Sequence, residues 1–236
     1  MNKKAVKLPF FEIGPKSYLY GDDIVELAKV ADVMSEKYDV DIIFTTPVVD
    51  IRRVREATKR IHVFAPHMDP ITVGRGLADI LPESLVSAGA DGVMLNHCEK
   101  PLDFETLQKT ITRANEVGLT TIVCADSLAE ASKIATLSPD IIVAEPSELI
   151  GTGVSAGKEY VESATRSVKD VNEDILVLTA AGIANGQDVY NTIIAGADAT
   201  GSSSGIAKAQ DRGAMVEEMI SAVRRAYDER RKKTEK

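Results

Sequence analysis

Short apolar runs rich in β-formers alternate with longer amphipathic stretches along the whole chain. The runs are LPFFEIG (8–14), VDIIFTT (40–46), IHVFA (61–65), DGVMLN (91–96), TTIVC (120–124), DIIVA (140–144), ILVLT (175–179) and the weaker ADATG (197–201). Between them lie segments such as DDIVELAKVADVMSEKY, PESLVSAG, FETLQKTITRANEVG, LAEASKIATL, YVESATRSVKDVN and GQDVYNTIIAG. Their apolar residues recur at three- and four-residue spacing, which predicts helices with one buried face. Gly89, Gly118 and Gly196 fall where such stretches stop just before a strand, as helix C-terminal glycines do.

Strands that alternate with helices predict a parallel sheet with helical crossovers. Eight such units in 236 residues match a compact (β/α)8 barrel, a fold that typically takes about 250 residues. The competing architecture, an open doubly wound sheet, would be favoured by a GxGxxG turn after the first strand, and the chain has none. The expectation is one barrel domain over 1–236, with about 225–236 a frayed, charged helix end.

Composition narrows the partners. The chain is 44% hydrophobic with a formal net charge of −8. No basic patch precedes the tail, which argues against nucleic acid or an anionic membrane as partner. No apolar run approaches the roughly 20 residues of a membrane span. The N-terminal MNKKAVKLPFFEIG is basic and then apolar, but it contains Glu12 and lacks a small-residue cleavage site, so it does not read as a signal peptide. Two isolated cysteines, Cys98 and Cys124, suit a reducing compartment, and the expected location is cytoplasmic.

In a barrel of this kind chemistry sits at the C-terminal ends of the strands. The first strand leads into Gly14-Pro15-Lys16, the third into Pro66-His67 and the fourth into Asn96-His97-Cys98-Glu99. The sixth leads into Glu145-Pro146, the seventh into Ala180-Ala181-Gly182-Ile183 and the eighth into Gly201-Ser202-Ser203-Ser204-Gly205. Each residue has a plainer reading. His62, at the opposite end of its strand, reads as structural, and His67 as a turn or contact residue. Cys98 reads as a small buried side chain or as a nucleophile beside His97. Lys16 reads as a solvated surface charge, and Glu99 as paired electrostatically with a lysine such as Lys16 or Lys100. Their convergence on one rim favours proton transfer next to a carbonyl. A carboxylate takes the proton, a neutral imidazole polarises the carbonyl and a fixed cation stabilises the developing negative charge. Glycines and serines after strands seven and eight suit a bound phosphate. The stretch IIVAEPSELIGTG (141–153) then reads as a strand, a base and a lid, stiff at Pro146 and loose at Gly151-Thr152-Gly153.

The segments LNHCEK (95–100) and AEPSELIGTG (144–153), with APHMD (65–69), ILPESLVSAGADGVMLNH (80–97) and AAGIANGQDV (180–189), resemble the triosephosphate isomerase family in its short archaeal-type form. The resemblance covers nearly the whole chain. It implies a TIM barrel in which Lys16 is the fixed cation, His97 the electrophile and Glu145 the base, with Glu99 the acidic residue after the histidine motif. Gly151, Gly182, Ser203 and Ser204 would contact the substrate phosphate. It also implies an enzyme with no cofactor and no metal that forms a homo-oligomer, dimer or tetramer, and takes a small phosphorylated sugar.

The chain departs from the family at several points. The family asparagine two positions before the lysine is Gly14, and this glycine is expected to open space beside Lys16. Cys98 stands where serine is usual, Pro66 replaces the family glutamine, Leu77 the third-loop threonine and Ser147 the second lid proline. The first reading is an isomerase of glyceraldehyde 3-phosphate and dihydroxyacetone phosphate. The alternatives are a paralogous isomerase of a tetrulose or pentulose phosphate, a non-catalytic phosphometabolite-binding barrel and, ranked last, a Schiff-base aldolase.

Overall fold

The structure is a computed structural model that describes residues 3–146, 157–180 and 182–234. Eight strands, β1 (Phe10–Ile13), β2 (Asp41–Thr45), β3 (His62–Ala65), β4 (Gly92–Leu95), β5 (Thr120–Ala125), β6 (Ile141–Ala144), β7 (Leu176–Thr179) and β8 (Ala199–Ser202), close a parallel barrel in sequence order. Parallel pairing of β1 with both β2 and β8 completes the ring, with Glu12 opposite Ile43 on one side and Gly201 on the other. The TIM barrel expected from the alternating pattern is the fold observed.

Alternation sorts each strand's residues between two cores. Phe10, Ile43, Phe64, Ile122, Cys124, Ile141, Val143, Leu178 and Ala199 fill the barrel interior. Their neighbours Phe11, Ile13, Ile42, Phe44, Val63, Val123, Ile142 and Val177 face outward into the layer shared with the helices. Burying one such side chain contributes about 1.5–3 kcal/mol, so both faces of every strand must be apolar, as the near-continuous hydrophobic runs predict. Phe64 takes the room that a side chain on β4 would need: a Cβ at Gly92 would lie 2.3 Å from its ring and 2.5 Å from the Thr120 carbonyl.

The N-terminal end of the barrel is tied off by one repeated device. Asp91, Asp140 and Asp198 each accept a hydrogen bond from a backbone N–H of the preceding strand, at Val63 (3.0 Å), Thr121 (2.8 Å) and Val177 (2.9 Å). Asp41 likewise accepts from the Lys7 N–H at 2.8 Å. His62 belongs to this face, its Nε2 lying 3.1 Å from Asp41 Oδ2, in keeping with the structural role expected of it.

The helices are α1 (Asp22–Tyr38), α2 (Ile51–Ala57), α3 (Pro82–Ala88), α4 (Phe104–Val117), α5 (Leu128–Ala135), α6 (Lys158–Lys169), α7 (Gly186–Ile194), the short α8 (Ser204–Ala207) and α9 (Arg212–Thr234). Helix α2 shows little periodicity, because four of its seven residues are charged. Helix α9 runs to Thr234, through most of the segment expected to be a frayed helix end. It is held to α7 by Tyr190 Oη donating to Glu229 at 2.5 Å, and by Arg230 Nη1 donating to the Ile193 and Ala197 carbonyls at 3.0 and 2.6 Å. The basic residues that suggested fraying suit a helix C-terminus, where the carbonyl dipole favours cations.

Candidate active site

Lys16 opens a short 3-10 turn after β1 and adopts φ 49°, a left-handed conformation that a side-chain-bearing residue rarely takes. Its Nζ donates to Glu99 Oε1 at 2.9 Å, joining the loops after β1 and β4 across the barrel mouth. The Glu99 side chain is 65% exposed, so the pair places the lysine more than it stabilises the fold.

His97 is positioned by Asn96, also left-handed at φ 57°. The buried Asn96 amide donates to the Cys124 carbonyl at 3.0 Å and to Glu130 at 3.2 Å, and its oxygen accepts from the Leu102 N–H at 2.9 Å. These bonds pin the loop that carries the histidine. The Glu99 N–H donates to His97 Nδ1 at 3.1 Å. An Nδ1 that accepts must carry no proton, so the neutral ring is protonated at Nε2. Burial first, and then the nearby Lys16 cation, hold the His97 pKa below the usual 6.5, so the ring is neutral at pH 7 and offers Nε2–H as a donor. Cys98 Sγ lies 3.7 Å from the same Nδ1. Burial and the neighbouring Asp126 push its thiol up, which disfavours the thiolate that a nucleophile would need.

Glu145 continues the inward alternation of β6 after Ile141 and Val143, and its N–H bonds the Ala125 carbonyl at 3.0 Å. Its carboxylate lies within electrostatic range of Cys98, Cys124 and Glu12. Lys16 in turn lies within range of His97, Cys98 and Glu12. The cation, the imidazole and the carboxylate expected at one rim are therefore neighbours around one mouth.

On the other side, Gly182 sits at φ 70°, and Ser203 and Ser204 begin α8. The loops after β7 and β8 lock together: Ser202 Oγ donates to the Ile183 carbonyl at 2.9 Å, and a Cβ at Gly205 would lie 2.6 Å from that same carbonyl. Ser203 Oγ is buried without a hydrogen-bond partner among the described residues. Gly151, like the rest of the expected lid beyond Pro146, lies outside the described residues. His67 pairs with Asp69 at 3.3 Å, as a turn residue would. Among the described residues, no group of three His, Cys, Asp or Glu side chains could hold a metal ion, and no helix is long and apolar enough to cross a membrane.

Two features escaped the sequence. Gly14 does not open space beside Lys16, because a Cβ there would stand 2.8 Å from Glu12 Oε1. Glu12 itself, 8% exposed and inward-facing on β1, accepts a hydrogen bond from Thr45 Oγ1 at 2.7 Å. Alternation gave the signal, since Glu12 shares the inward face with Phe10.

Comparison with known proteins agrees with this geometry. The family model described as triosephosphate isomerase matches residues 16–223. The triosephosphate isomerase of Saccharolobus solfataricus is 36% identical over 225 residues, covering 94% of this chain and 99% of that protein. That of Sulfurisphaera tokodaii is 35% identical over 230 residues, 96% of this chain and all of that protein. That of Methanocaldococcus jannaschii is 36% identical over 206 residues, 86% and 94% of the two chains. The chain belongs to the triosephosphate isomerase family. The family match takes in Lys16, His97, Glu99 and Glu145, whereas Glu12 and Gly14 lie before its first residue.

Proposed function

We propose that the chain is an aldose–ketose isomerase of a small phosphorylated sugar, with glyceraldehyde 3-phosphate and dihydroxyacetone phosphate as its substrate pair. The observation that carries the reading is the neutral His97, with Nε2–H as donor, beside Lys16 and on the same mouth as Glu145. A glutamate base with a neutral histidine electrophile is the scheme established for triosephosphate isomerases.

In this reading the Glu145 carboxylate removes a proton from the carbon beside the carbonyl. The C–H electron pair becomes the C=C bond of an enediolate, and the carbonyl π pair moves onto oxygen. His97 Nε2–H and the Lys16 ammonium stabilise that oxygen. Glu145 then returns the proton to the neighbouring carbon while the hydroxyl proton of the first carbon passes to the other oxygen by way of His97 Nε2, so the new carbonyl forms and no oxidant or reductant is consumed. Gly182, Ser203 and Ser204 hold the phosphate; the unpartnered Ser203 hydroxyl favours this assignment. The chemistry needs neither metal nor cofactor. The same reading carries a cytoplasmic location and a homo-oligomer, to which the exposed Val73 and Leu77 of the third loop would contribute.

Purified protein is assayed with three-, four- and five-carbon sugar phosphates in deuterated water. Interconversion with deuterium at the reacting carbon supports the reading, and Glu145→Asp, which withdraws the carboxylate by about one methylene, lowers kcat by about 100-fold or more. Full activity of that variant removes Glu145 as the base. Turnover of four- or five-carbon phosphates in preference to trioses moves the substrate assignment to the paralogous isomerase.

A further inference from the structure

The barrel mouth holds a second carboxyl group that the proton-transfer scheme does not use. Glu12 points into the barrel one strand away from Thr45, whose hydroxyl donates to Oε1 at 2.7 Å. With Oε1 so occupied, the described residues give Oε2 no hydrogen-bond partner. A Cβ at Gly14 would lie 3.4 Å from Oε2 and one at Gly201 3.0 Å, so both glycines flank the carboxyl closely. The charged and titratable groups that face it are Lys16 beyond β1, Glu145 on β6 and Cys124 on β5. Lys16 favours the ionised form from beyond β1, but its hydrogen bond goes to Glu99 and none to Glu12 is seen among the described residues.

We propose that Glu12 is a substrate-contacting residue that, as the neutral acid, donates its Oε2 proton in a hydrogen bond to an oxygen on the reacting carbons, taking the place of the family asparagine amide lost at Gly14. The inference rests on the isomerase reading above. An acid here must be neutral to serve. Ionised, it would offer only acceptors to a developing enediolate and would place a second negative charge beside Glu145. The surroundings favour the neutral form: burial raises the Glu12 pKa from 4.5 to about 7, the Thr45 bond opposes this, and Glu145 adds to it. No proton leaves Glu12 during turnover; it positions and polarises.

The test is the pH profile of kcat/KM for the sugar phosphate that the wild type turns over best, compared with Glu12→Gln and Glu12→Ala. Because kcat/KM reports the free enzyme, the wild type falls about tenfold per pH unit above pH 7. Glu12→Gln keeps a neutral donor of similar size but a weaker one. It is expected to lose about three- to tenfold at pH 6 and to lack the falling limb, so that by pH 9 it outruns the wild type. Glu12→Ala lies about 100-fold below the wild type at pH 6, mostly in kcat, and lacks the falling limb, so the two profiles meet near pH 9. A Glu12→Gln profile that falls in parallel with the wild type overturns the proposal. So does a Glu12→Ala enzyme as fast as the wild type at pH 6. Absence of turnover by the wild type on any sugar phosphate overturns the isomerase reading first, and is thereby distinguished from failure at Glu12 alone. Circular dichroism and thermal melts confirm that each variant folds.

Discussion

Replacing Glu12 by Gln should make the protein more stable at alkaline pH and leave its stability at acid pH little changed. The sign follows from which state binds more protons. The folded pKa of Glu12 is raised, so between the unfolded value near 4.5 and the folded value of about 7 the folded state holds a proton that the unfolded state has released. Stability from this group is fully present below pH 4.5 and is lost as pH rises through 7. The rise from 4.5 to about 7, at 1.36 kcal/mol per pH unit, corresponds to about 3 kcal/mol. Because the group is only 8% exposed, solvent screening removes little of that. Glutamine does not titrate, and its amide oxygen can still accept from Thr45. Urea unfolding of both proteins is measured from pH 4.5 to 8.5 at one protomer concentration, since self-association would otherwise shift the midpoints. All other titrating groups are shared, so the difference between the two curves isolates Glu12. It should widen by about 3 kcal/mol across the interval in favour of the variant. Parallel curves would show that Glu12 ionises in the folded protein as it does in water, and the reasoning would be wrong.

Two further outcomes follow from packing and from the imidazole. Gly92→Ala forces a methyl group against the Phe64 ring and the Thr120 carbonyl at 2.3 and 2.5 Å. It should cost about 3 kcal/mol and lower Tm by several degrees, and an unchanged melt would mean that the ring swings clear. His97 should keep a neutral, Nε2-protonated ring in nitrogen NMR spectra as pH falls through 6.5, because burial and Lys16 both disfavour the cation; a half-protonated ring at pH 6.5 contradicts this.

Much of the fold was legible because two periodicities alternate along the chain. VDIIFTT and DIIVA are apolar on both faces, as barrel strands must be, and FETLQKTITRANEVG carries one apolar face and ends on Gly118, which takes φ 82°. Where local signals were weak the reading slipped. The eighth strand, sought at 197–201, lies at Ala199–Ser202 because its small residues have little β-preference of their own. Helix α2 is too short to show a period. The site was legible in part because strand ends can be counted, which placed Lys16, His97, Glu99 and Glu145 on one rim. Glu12 was not, since it lies inside a strand and counting ends passes over it. Nor could sequence say that the room at Gly14 is taken, because that depends on how a side chain two residues earlier is held by Thr45 on the next strand.

The absence of asparagine at position 14 therefore need not mean a missing contact. Oε1 of Glu12, held by Thr45, stands 2.8 Å from where the first carbon of a side chain at position 14 would lie, so an amide at 14 would require the carboxyl at 12 to leave Thr45. Gly201, across the β1–β8 pairing, completes the arrangement: its Cβ would meet the Glu12 backbone carbonyl at 2.9 Å and the carboxyl at 3.0 Å. A buried acid with its pKa raised to about 7 lowers stability at neutral pH and above, and two glycines pack closely against it. A cost of that kind persists in a folded protein chiefly where a site requires it. If Glu12 contacts substrate as proposed, the first strand is where selectivity among sugar phosphates would be set.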